Sequence, residues 1–393
     1  MHLPNFMEFE CPVKTHYGDW ALNHIPFELK ALGAAKPLLI ADEAASLEKR
    51  LKPVLEAFRD TDMTLGVVED IPTSDMQNSL HQLSAIYRDK DCDAIIAVGQ
   101  GSFIDLTKWL NLTLSTGEES LASFSEGRLI PRALKPLAVI PSAAADGFEL
   151  SGYLRIQETT LASAHLMPQL LFLDPRTSGR PDDTTMVETA LNALTNGVET
   201  FFCAAANPMK AVYARTATML ATEALCQLAG RGARDERLAI TVAHAAALGG
   251  CALGCQGLST IHHLAHAIAS TGKATPTQAQ SVLLSYMLER RSLETEMNVD
   301  LFLSLAGGND RFARTPEHQR SAAAIYFLRN LINQLFAITD GKIGRTLQDI
   351  GLTREELPAI AEAAGRRDTE CEASSLEAIL VHAWEGRPVD GTT

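Results

Sequence analysis

The sequence predicts a Rossmann-like α/β domain over residues 1–177 and an all-helical domain over residues 178–393. In the first part, short apolar runs alternate with amphipathic stretches, which is typical of strands and helices that alternate along a parallel sheet. In the second part, Ala and Leu are frequent and the apolar positions recur about every 3.6 residues, as on one face of a helix. A chain of 393 residues is long enough to bury a core in each domain.

Composition and charge exclude several classes of protein. Hydrophobic residues make up 46% and charged residues 21%, as in soluble globular proteins. The net charge of −14 argues against a nucleic-acid partner and an anionic membrane surface. The sequence has neither an apolar run of about 18 residues nor a signal-peptide pattern at its start, so we expect a cytoplasmic protein without a membrane partner. Its seven scattered cysteines do not predict a disulfide framework.

Four segments predict strands of the first domain. Residues 36–42 and 63–70 are strands, residues 93–102 begin as a strand that runs into glycines, and residues 136–147 begin as a strand that small residues follow. Residues 43–58 and 76–91 predict helices between them. The periodicity of the second domain predicts long helices at 186–205, 209–229, 237–254 and 321–338. Ligands of parallel α/β sheets bind at the carboxyl ends of the strands, so the small-residue loops there are candidate binding sites.

The stretch "GQGSFIDLTK", residues 99–108, follows a predicted strand and opens a predicted helix. Gly99 and Gly101 would let the backbone approach a pyrophosphate, and the helix N-terminus attracts anions. Ser102 could add a hydroxyl group. A short glycine turn of this kind is also common where the role is only structural, and that alternative stays open.

Asp42 ends the apolar run "LLIAD". Its carboxylate could accept hydrogen bonds from the adenosine ribose of a dinucleotide, which would favour NAD over NADP. Alternatively, Asp42 caps the helix that follows. The loop "PSAAADGFE", residues 141–149, could line the nicotinamide end.

Two asparagines stand four residues apart in "LNALTNGVET", residues 191–200. This spacing places Asn192 and Asn196 on one helical face, where they can contact a common partner. An Asp and a His at the same spacing could bind a metal ion, whereas two amides bind one poorly.

Together and in this order, the segments resemble the iron-containing alcohol dehydrogenase superfamily, which includes the maleylacetate reductases. "DAIIAVGQGSFIDLTK" resembles the family pattern D-x-I-[IV]-A-[VL]-G-G-G-S-x-x-D-x-A-K, with Gln100 in place of the middle glycine; the matching residues are Gly99, Gly101, Ser102, Asp105 and Lys108. "PLAVIPSAAADGFE" resembles the family's P-T-T-A-G-T-G-S-E loop. It keeps Pro141, Gly147 and Glu149 but departs at Ser142, Ala143, Asp146 and Phe148.

The resemblance implies that the first domain binds NAD or NADP and that the second domain is helical, with catalysis in the cleft between them. It implies a homodimer that interconverts a small alcohol and an aldehyde or ketone by hydride transfer. Together, the residue patterns and the resemblance predict cofactor contacts at Asp42, Gly99, Gln100, Gly101, Ser102, Asp105, Lys108, Ser142, Ala143 and Gly147.

Members of the family bind iron or zinc through an Asp and a His in D-A-x-x-H, the first His of H-x-x-x-H, and a later His. In this sequence Asn192 and Asn196 stand at the first two positions, and "HHLAH" keeps His262 and His266. The last position falls near Pro276, where there is no histidine. Only His262 remains of the ligand set, so we expect the chain not to bind a metal in the family manner.

A single helix would place Cys251, Cys255, His262 and His266 on one side, which is the alternative metal site that the sequence offers. Cys255 and His262 would then be about 10 Å apart along the axis, too far for one ion.

Among the subgroups, Asn192 and the pair His262 and His263 resemble the maleylacetate reductases, whereas Asn196 and Asp105 do not.

Two functions follow. In the first, the chain is a metal-independent oxidoreductase in which His262, His266, Asn192 and Asn196 donate hydrogen bonds or a proton to the substrate oxygen. In the second, it is an inactive descendant that binds nucleotide or acts as a scaffold or regulator. Gln100, Asp146 and Phe148 favour the second, because they crowd or charge loops that would approach the cofactor. Either histidine could also be a packed residue without a chemical role.

Overall fold

In the computed structural model, the described residues of the N-terminal part form eight strands: β1 (Lys14–Tyr17), β2 (Pro37–Asp42), β3 (Gly66–Ile71), β4 (Ala94–Gly99), β5 (Leu137–Pro141), β6 (Tyr153–Ile156), β7 (Thr159–Ala162) and β8 (Leu170–Leu173). The residues that the structure describes are 9–47, 50–125, 129–131, 134–141, 147–156, 159–178, 182–202, 207–230, 235–254, 258–294, 299–306, 308–368 and 371–389.

Six of these strands form a parallel sheet in the order β1-β8-β5-β4-β2-β3. β6 and β7 pair separately as an antiparallel hairpin. β2, β4, β5 and β8 are buried along their whole length, as is typical of parallel strands that are covered on both faces. The four strand predictions correspond to β2, β3, β4 and β5, and the predicted α/β class is confirmed.

Seven α-helices accompany the strands among the described residues: α1 (Ile25–Ala31), α2 (Glu43–Leu47), α3 (Lys52–Glu56), α4 (Met76–Asp89), α5 (Ser102–Thr116), α6 (Ala122–Ser125) and α7 (Pro175–Ser178). The prediction of one helix over residues 43–58 is wrong, since α2 ends at Leu47 and α3 begins at Lys52. Pro53 explains the difference, because proline lacks a backbone N–H and fits only in the first turn of a helix.

Ten α-helices make up the C-terminal part of the described chain: α8 (Asp183–Phe202), α9 (Pro208–Ala229), α10 (Glu236–Leu253), α11 (Thr260–Ala269), α12 (Pro276–Glu294), α13 (Val299–Ala306), α14 (Gly308–Arg314), α15 (Arg320–Ile338), α16 (Leu357–Gly365) and α17 (Ala373–Glu385). Their core is apolar and includes Val187, Leu225 and Leu264, which are fully buried. The prediction of an all-helical second part is confirmed. None of the helices in the described ranges is long and apolar enough to cross a membrane.

Contacts divide the chain into two compact units. The α/β unit comprises Glu10–Pro181 with Gly254–Gln256, and the helical unit comprises Met1–Phe9, Asp182–Leu253 and Gly257–Thr393. Helix α10 ends at Leu253, and Gly254 has a positive φ of 58°. Residues 251–266 are therefore not one helix, because Cys251 lies on α10 and His262 on α11. Cys255 lies outside the described residues.

A buried lysine ties α5 to the segment before β6. Lys108 is only 1% exposed, and its Nζ donates hydrogen bonds to the carbonyl oxygens of Phe148 (2.7 Å), Ser151 (2.7 Å) and Tyr153 (2.9 Å). A buried ammonium group is tolerated only when hydrogen bonds replace its hydration. Lys108 therefore braces this region of the α/β unit.

Replacing Lys108 with Met should destabilise the protein by roughly 3 kcal/mol, because it leaves three buried carbonyl groups without their donor. Urea unfolding of the full chain measures this loss. Lys52→Met is the matched control, since the Lys52 side chain is 79% exposed and lies 3.9 Å from Glu56, so its loss should change little. Equal stability of the two variants would contradict the bracing role.

Candidate functional site

The carboxyl ends of β2 and β4 lie side by side where the strand order reverses. From β2 the chain continues to β3 on one side, whereas β4 and β5 follow on the other side. Asp42 ends β2 and Gly99 ends β4. In open parallel sheets, such a switch point forms the crevice in which ligands bind.

The glycine turn after β4 leaves space beside the N-terminus of α5. Gly101 has φ 56° and ψ −129°, a conformation that is essentially restricted to glycine. A Cβ atom built on Gly101 would have no heavy atom within 4 Å, and Ser102, the first residue of α5, is exposed. The backbone N–H groups of a helix N-terminus and its dipole favour an anion in such a place.

Asp42 holds this turn to the end of β2. Its Oδ1 accepts a hydrogen bond from the backbone N–H of Ala45 (2.7 Å), and its Oδ2 accepts one from the backbone N–H of Gln100 (3.2 Å). The first bond is a helix cap, which is one of the two roles that the sequence left open. Burial raises the pKa of the Asp42 carboxyl group, and the two N–H donors act in the opposite direction. Its role towards a ribose stays a prediction.

Gly99 is required for a different reason from Gly101. A Cβ atom at Gly99 would lie 2.4 Å from Cδ1 of Phe103 and 2.7 Å from Oδ2 of Asp42. Both distances are shorter than van der Waals contact allows. The side chains of Phe103 and Asp42 therefore lie too close to Gly99 for any larger residue to fit there.

Asp105 and Lys108 have structural partners within the α/β unit. Asp105 accepts hydrogen bonds from the backbone N–H (3.0 Å) and the guanidinium group (3.3 Å) of Arg155, whose Cζ lies 3.7 Å from the centre of the Phe148 ring. These contacts favour a structural role, and the cofactor contacts predicted for Asp105 and Lys108 stay predictions.

In the loop predicted to line the nicotinamide end, Gly147 has a positive φ of 85°. Ser142, Ala143 and Asp146 lie outside the described residues.

The two asparagines of α8 are buried and form hydrogen bonds to different helices. Asn192 is 9% exposed, and its Nδ2 donates to Oγ1 of Thr277 (3.0 Å), the second residue of α12. Asn196 is 1% exposed, and its Oδ1 lies 3.0 Å from Nε2 of His262 on α11. Both amides are buried, but these hydrogen bonds lead to two different helices rather than to the common partner that the four-residue spacing suggested.

His262 is fully buried and uses both ring nitrogens. Its Nε2 contacts Asn196, and its Nδ1 lies 2.8 Å from Oγ of Ser259. His266 lies one turn further along α11 and is partly buried. The structure thus joins Asn196 and His262 directly.

Sequence reasoning missed two residues of this site, Thr277 and Ser259. Thr277, the residue after Pro276, contacts Asn192. Within the described ranges, there is no group of three or more His, Cys, Asp or Glu side chains arranged to hold a metal ion.

Gly99→Ala should destabilise the protein by about 1–3 kcal/mol, because the new methyl group overlaps Phe103 and Asp42. The double variant Gly99→Ala/Phe103→Leu should lose less than the sum of the two single losses, since the smaller side chain relieves the overlap. Thermal and urea unfolding of the four proteins in this cycle measure the coupling. Strictly additive losses would contradict the close contact.

Comparisons with known proteins agree with this architecture. The family profile described as "Iron-containing alcohol dehydrogenase" matches residues 12–175, and the one described as "Fe-containing alcohol dehydrogenase family, C-terminal" matches residues 186–379. The chain is 25% identical over 361 residues to long-chain-alcohol dehydrogenase 1 of Geobacillus thermodenitrificans, covering 90% of this chain and 89% of that protein. It is 22% identical to 1,3-propanediol dehydrogenase of Klebsiella pneumoniae, with 91% and 92% covered.

Solved structures share the fold over nearly the whole chain. A crystal structure of 1,3-propanediol oxidoreductase has a TM-score of 0.83 at 20% identity and covers 97% of this chain and 100% of that one. Maleylacetate reductase from Rhizobium sp. strain MTP-10005 has a TM-score of 0.74 at 20% identity, with 98% and 100% covered. Because the two profiles span most of its length, the chain belongs to the iron-containing alcohol dehydrogenase family.

Proposed function

We propose that the chain is an NAD(P)-dependent oxidoreductase that interconverts a small alcohol and an aldehyde or ketone without a bound metal ion. Its relatives include a long-chain-alcohol dehydrogenase and a 1,3-propanediol dehydrogenase, which supports the reaction class. The hydrogen bond between Asn196 and His262 is the observation that supports the metal-free chemistry. A homodimer, a cytoplasmic location and the preference for NAD stay predictions of the sequence.

The residues of the α/β unit fit a nicotinamide dinucleotide. The open space beside Gly101 and the exposed Ser102 would accommodate a pyrophosphate at the N-terminus of α5. Asp42 stands at the neighbouring strand end and would accept the ribose hydroxyl groups. When bound, the nicotinamide supplies or accepts the hydride.

The residues at the family's metal positions do not fit an iron or zinc ion. Such sites use three or four ligands, with carboxylate or imidazole lone pairs turned towards the ion. Here two positions carry neutral amides, and Nε2 of His262 is hydrogen-bonded to Asn196. Thr277, which follows the Pro276 position of the last family ligand, accepts a hydrogen bond from Asn192.

We infer that neutral donors stabilise the negative charge that develops on the substrate oxygen. Amide N–H groups held in fixed positions act as oxyanion donors, since they need no reorganisation during the reaction. Asn192 and Asn196 supply such amides. His262 orients Asn196, and His266, one turn along α11, is the candidate for giving or taking the proton.

The test of this function is reduction of a panel of aldehydes and ketones by NADH and by NADPH, with and without a chelator. We expect turnover that a chelator leaves unchanged. Activity that is lost with chelator and restored by iron or zinc would overturn the metal-free mechanism. If neither nucleotide shifts the melting temperature and no substrate is turned over, the inactive scaffold is the better description.

Asp42 should make the chain prefer NADH over NADPH by at least about tenfold, or ~1.4 kcal/mol, because its carboxylate repels a 2′-phosphate. Asp42→Asn should narrow this ratio, since it removes the charge and keeps one acceptor oxygen. Asp89→Asn, at the exposed end of α4, is the matched control. Titration calorimetry measures both affinities, and an unchanged ratio in Asp42→Asn would count against ribose recognition.

Restoring metal ligands tests the geometry of the helical site. The double variant Asn192→Asp/Asn196→His should bind zinc weakly, because the last ligand position of the family, near Pro276, still lacks a histidine. Adding Thr277→His should tighten binding by at least about tenfold, ~1.4 kcal/mol, since residue 277 contacts residue 192. A control triple variant carries Lys273→His, an exposed position before α12. Equal zinc affinity of the two triple variants would refute the proposal that residue 277 stands at the last ligand position.

A further inference from the structure

Ser259 occupies the N-cap position of α11 but does not cap the helix through its side chain. Its backbone is extended (φ −82°, ψ 168°), as expected at an N-cap, yet its hydroxyl group accepts no bond from the first turn. Serine at this position normally accepts a hydrogen bond from a backbone N–H of the second or third helical residue. Here its Oγ lies 2.8 Å from Nδ1 of His262 instead.

The two contacts of His262 define where its protons lie. Nε2 faces Oδ1 of Asn196 at 3.0 Å, and an amide oxygen can only accept, so Nε2 carries the hydrogen. In a neutral imidazole, Nδ1 then has the lone pair and accepts the hydroxyl hydrogen of Ser259. The three side chains form a chain of donors that runs from Ser259 through His262 to Asn196.

This chain fixes the orientation of the Asn196 amide. Because Oδ1 of Asn196 is turned to His262, its Nδ2 is turned away from the ring. Hydrogen bonds in series polarise one another, so donation from His262 to Oδ1 strengthens the amide as a donor. The ring is fully buried, and water is therefore a poor substitute for Ser259.

We propose that Ser259 is a positioning residue that selects the Nε2–H tautomer of His262 and thereby orients Asn196 as a donor. The catalytic consequence rests on the proposed function, whereas the tautomer does not. Without the hydroxyl group, Nδ1 loses its donor, and the Nε2–H form loses its advantage over the Nδ1–H form.

Nitrogen-15 NMR of the full chain with labelled histidine tests the tautomer directly at a fixed alkaline pH. A His262→Gln variant assigns the signal among the 11 histidines. We expect Nε2–H in the wild type and in Ser259→Thr, and a mixture of tautomers in Ser259→Ala. Ser270→Ala is the control, since Oγ of Ser270 bonds to the carbonyl oxygen of His266 on the same helix (2.9 Å). An Nδ1–H wild type, or an unchanged Ser259→Ala spectrum, would overturn the proposal.

Kinetics separate this proposal from the proposed function. Ser259→Ala should lower kcat about tenfold, as for a loss of ~1.4 kcal/mol in the transition state, with KM unchanged and with rescue by threonine. Melting temperatures of all variants control for misfolding. If the tautomer follows Ser259 but the wild type turns over no carbonyl compound, the proposed function fails and the positioning role stands. If the wild type is active and Ser259→Ala keeps full kcat, the catalytic role of Ser259 is refuted.

Discussion

The hydrogen bond between His262 and Asn196 is the contact on which the candidate site of the helical unit depends. Both side chains are almost completely buried, so losing either one would remove this hydrogen bond from Oδ1 of Asn196 or from Nε2 of His262. An unsatisfied buried polar group costs about 1–3 kcal/mol, a large fraction of the stability of a typical domain. The need to satisfy these groups links α8 to α11 and brings Ser259 into the network. The same requirement joins Asn192 to Thr277 and links α8 to α12.

The α/β unit meets the same requirement with charged groups. Lys108 is surrounded by three carbonyl oxygens, and Asp42 by two backbone N–H groups. Because backbone groups fill these contacts, both side chains hold loops at the carboxyl edge of the sheet in place. Asp42 and Lys108 match positions of cofactor-binding motifs, yet their observed contacts are to the backbone of these loops. A motif residue can thus stabilise the loop on which a ligand would lie.

Much of the fold could be predicted from the sequence, because apolar periodicity reports burial directly. The buried strands β2 and β4 and the long helices α8 and α9 follow from it. β1 has the polar sequence "KTHY" at the edge of the sheet, and the β6-β7 hairpin lies outside the main sheet, so neither was predicted. The break between α2 and α3 follows from Pro53. The apolar periodicity of residues 43–58 continues across this proline, so it predicted one helix instead of two.

The sequence by itself determined the α/β class of the first part, the helical class of the second part, the family and the presence of two amides on one face of α8, since these depend on residue type and spacing along one chain. Only the tertiary structure decided which side chains complete the site. Thr277 is 85 residues from Asn192, and His262 is 66 from Asn196. The packing of α8 against α11 and α12 brings these side chains within hydrogen-bonding distance, although they are far apart in sequence. No spacing rule within a single segment contains that information.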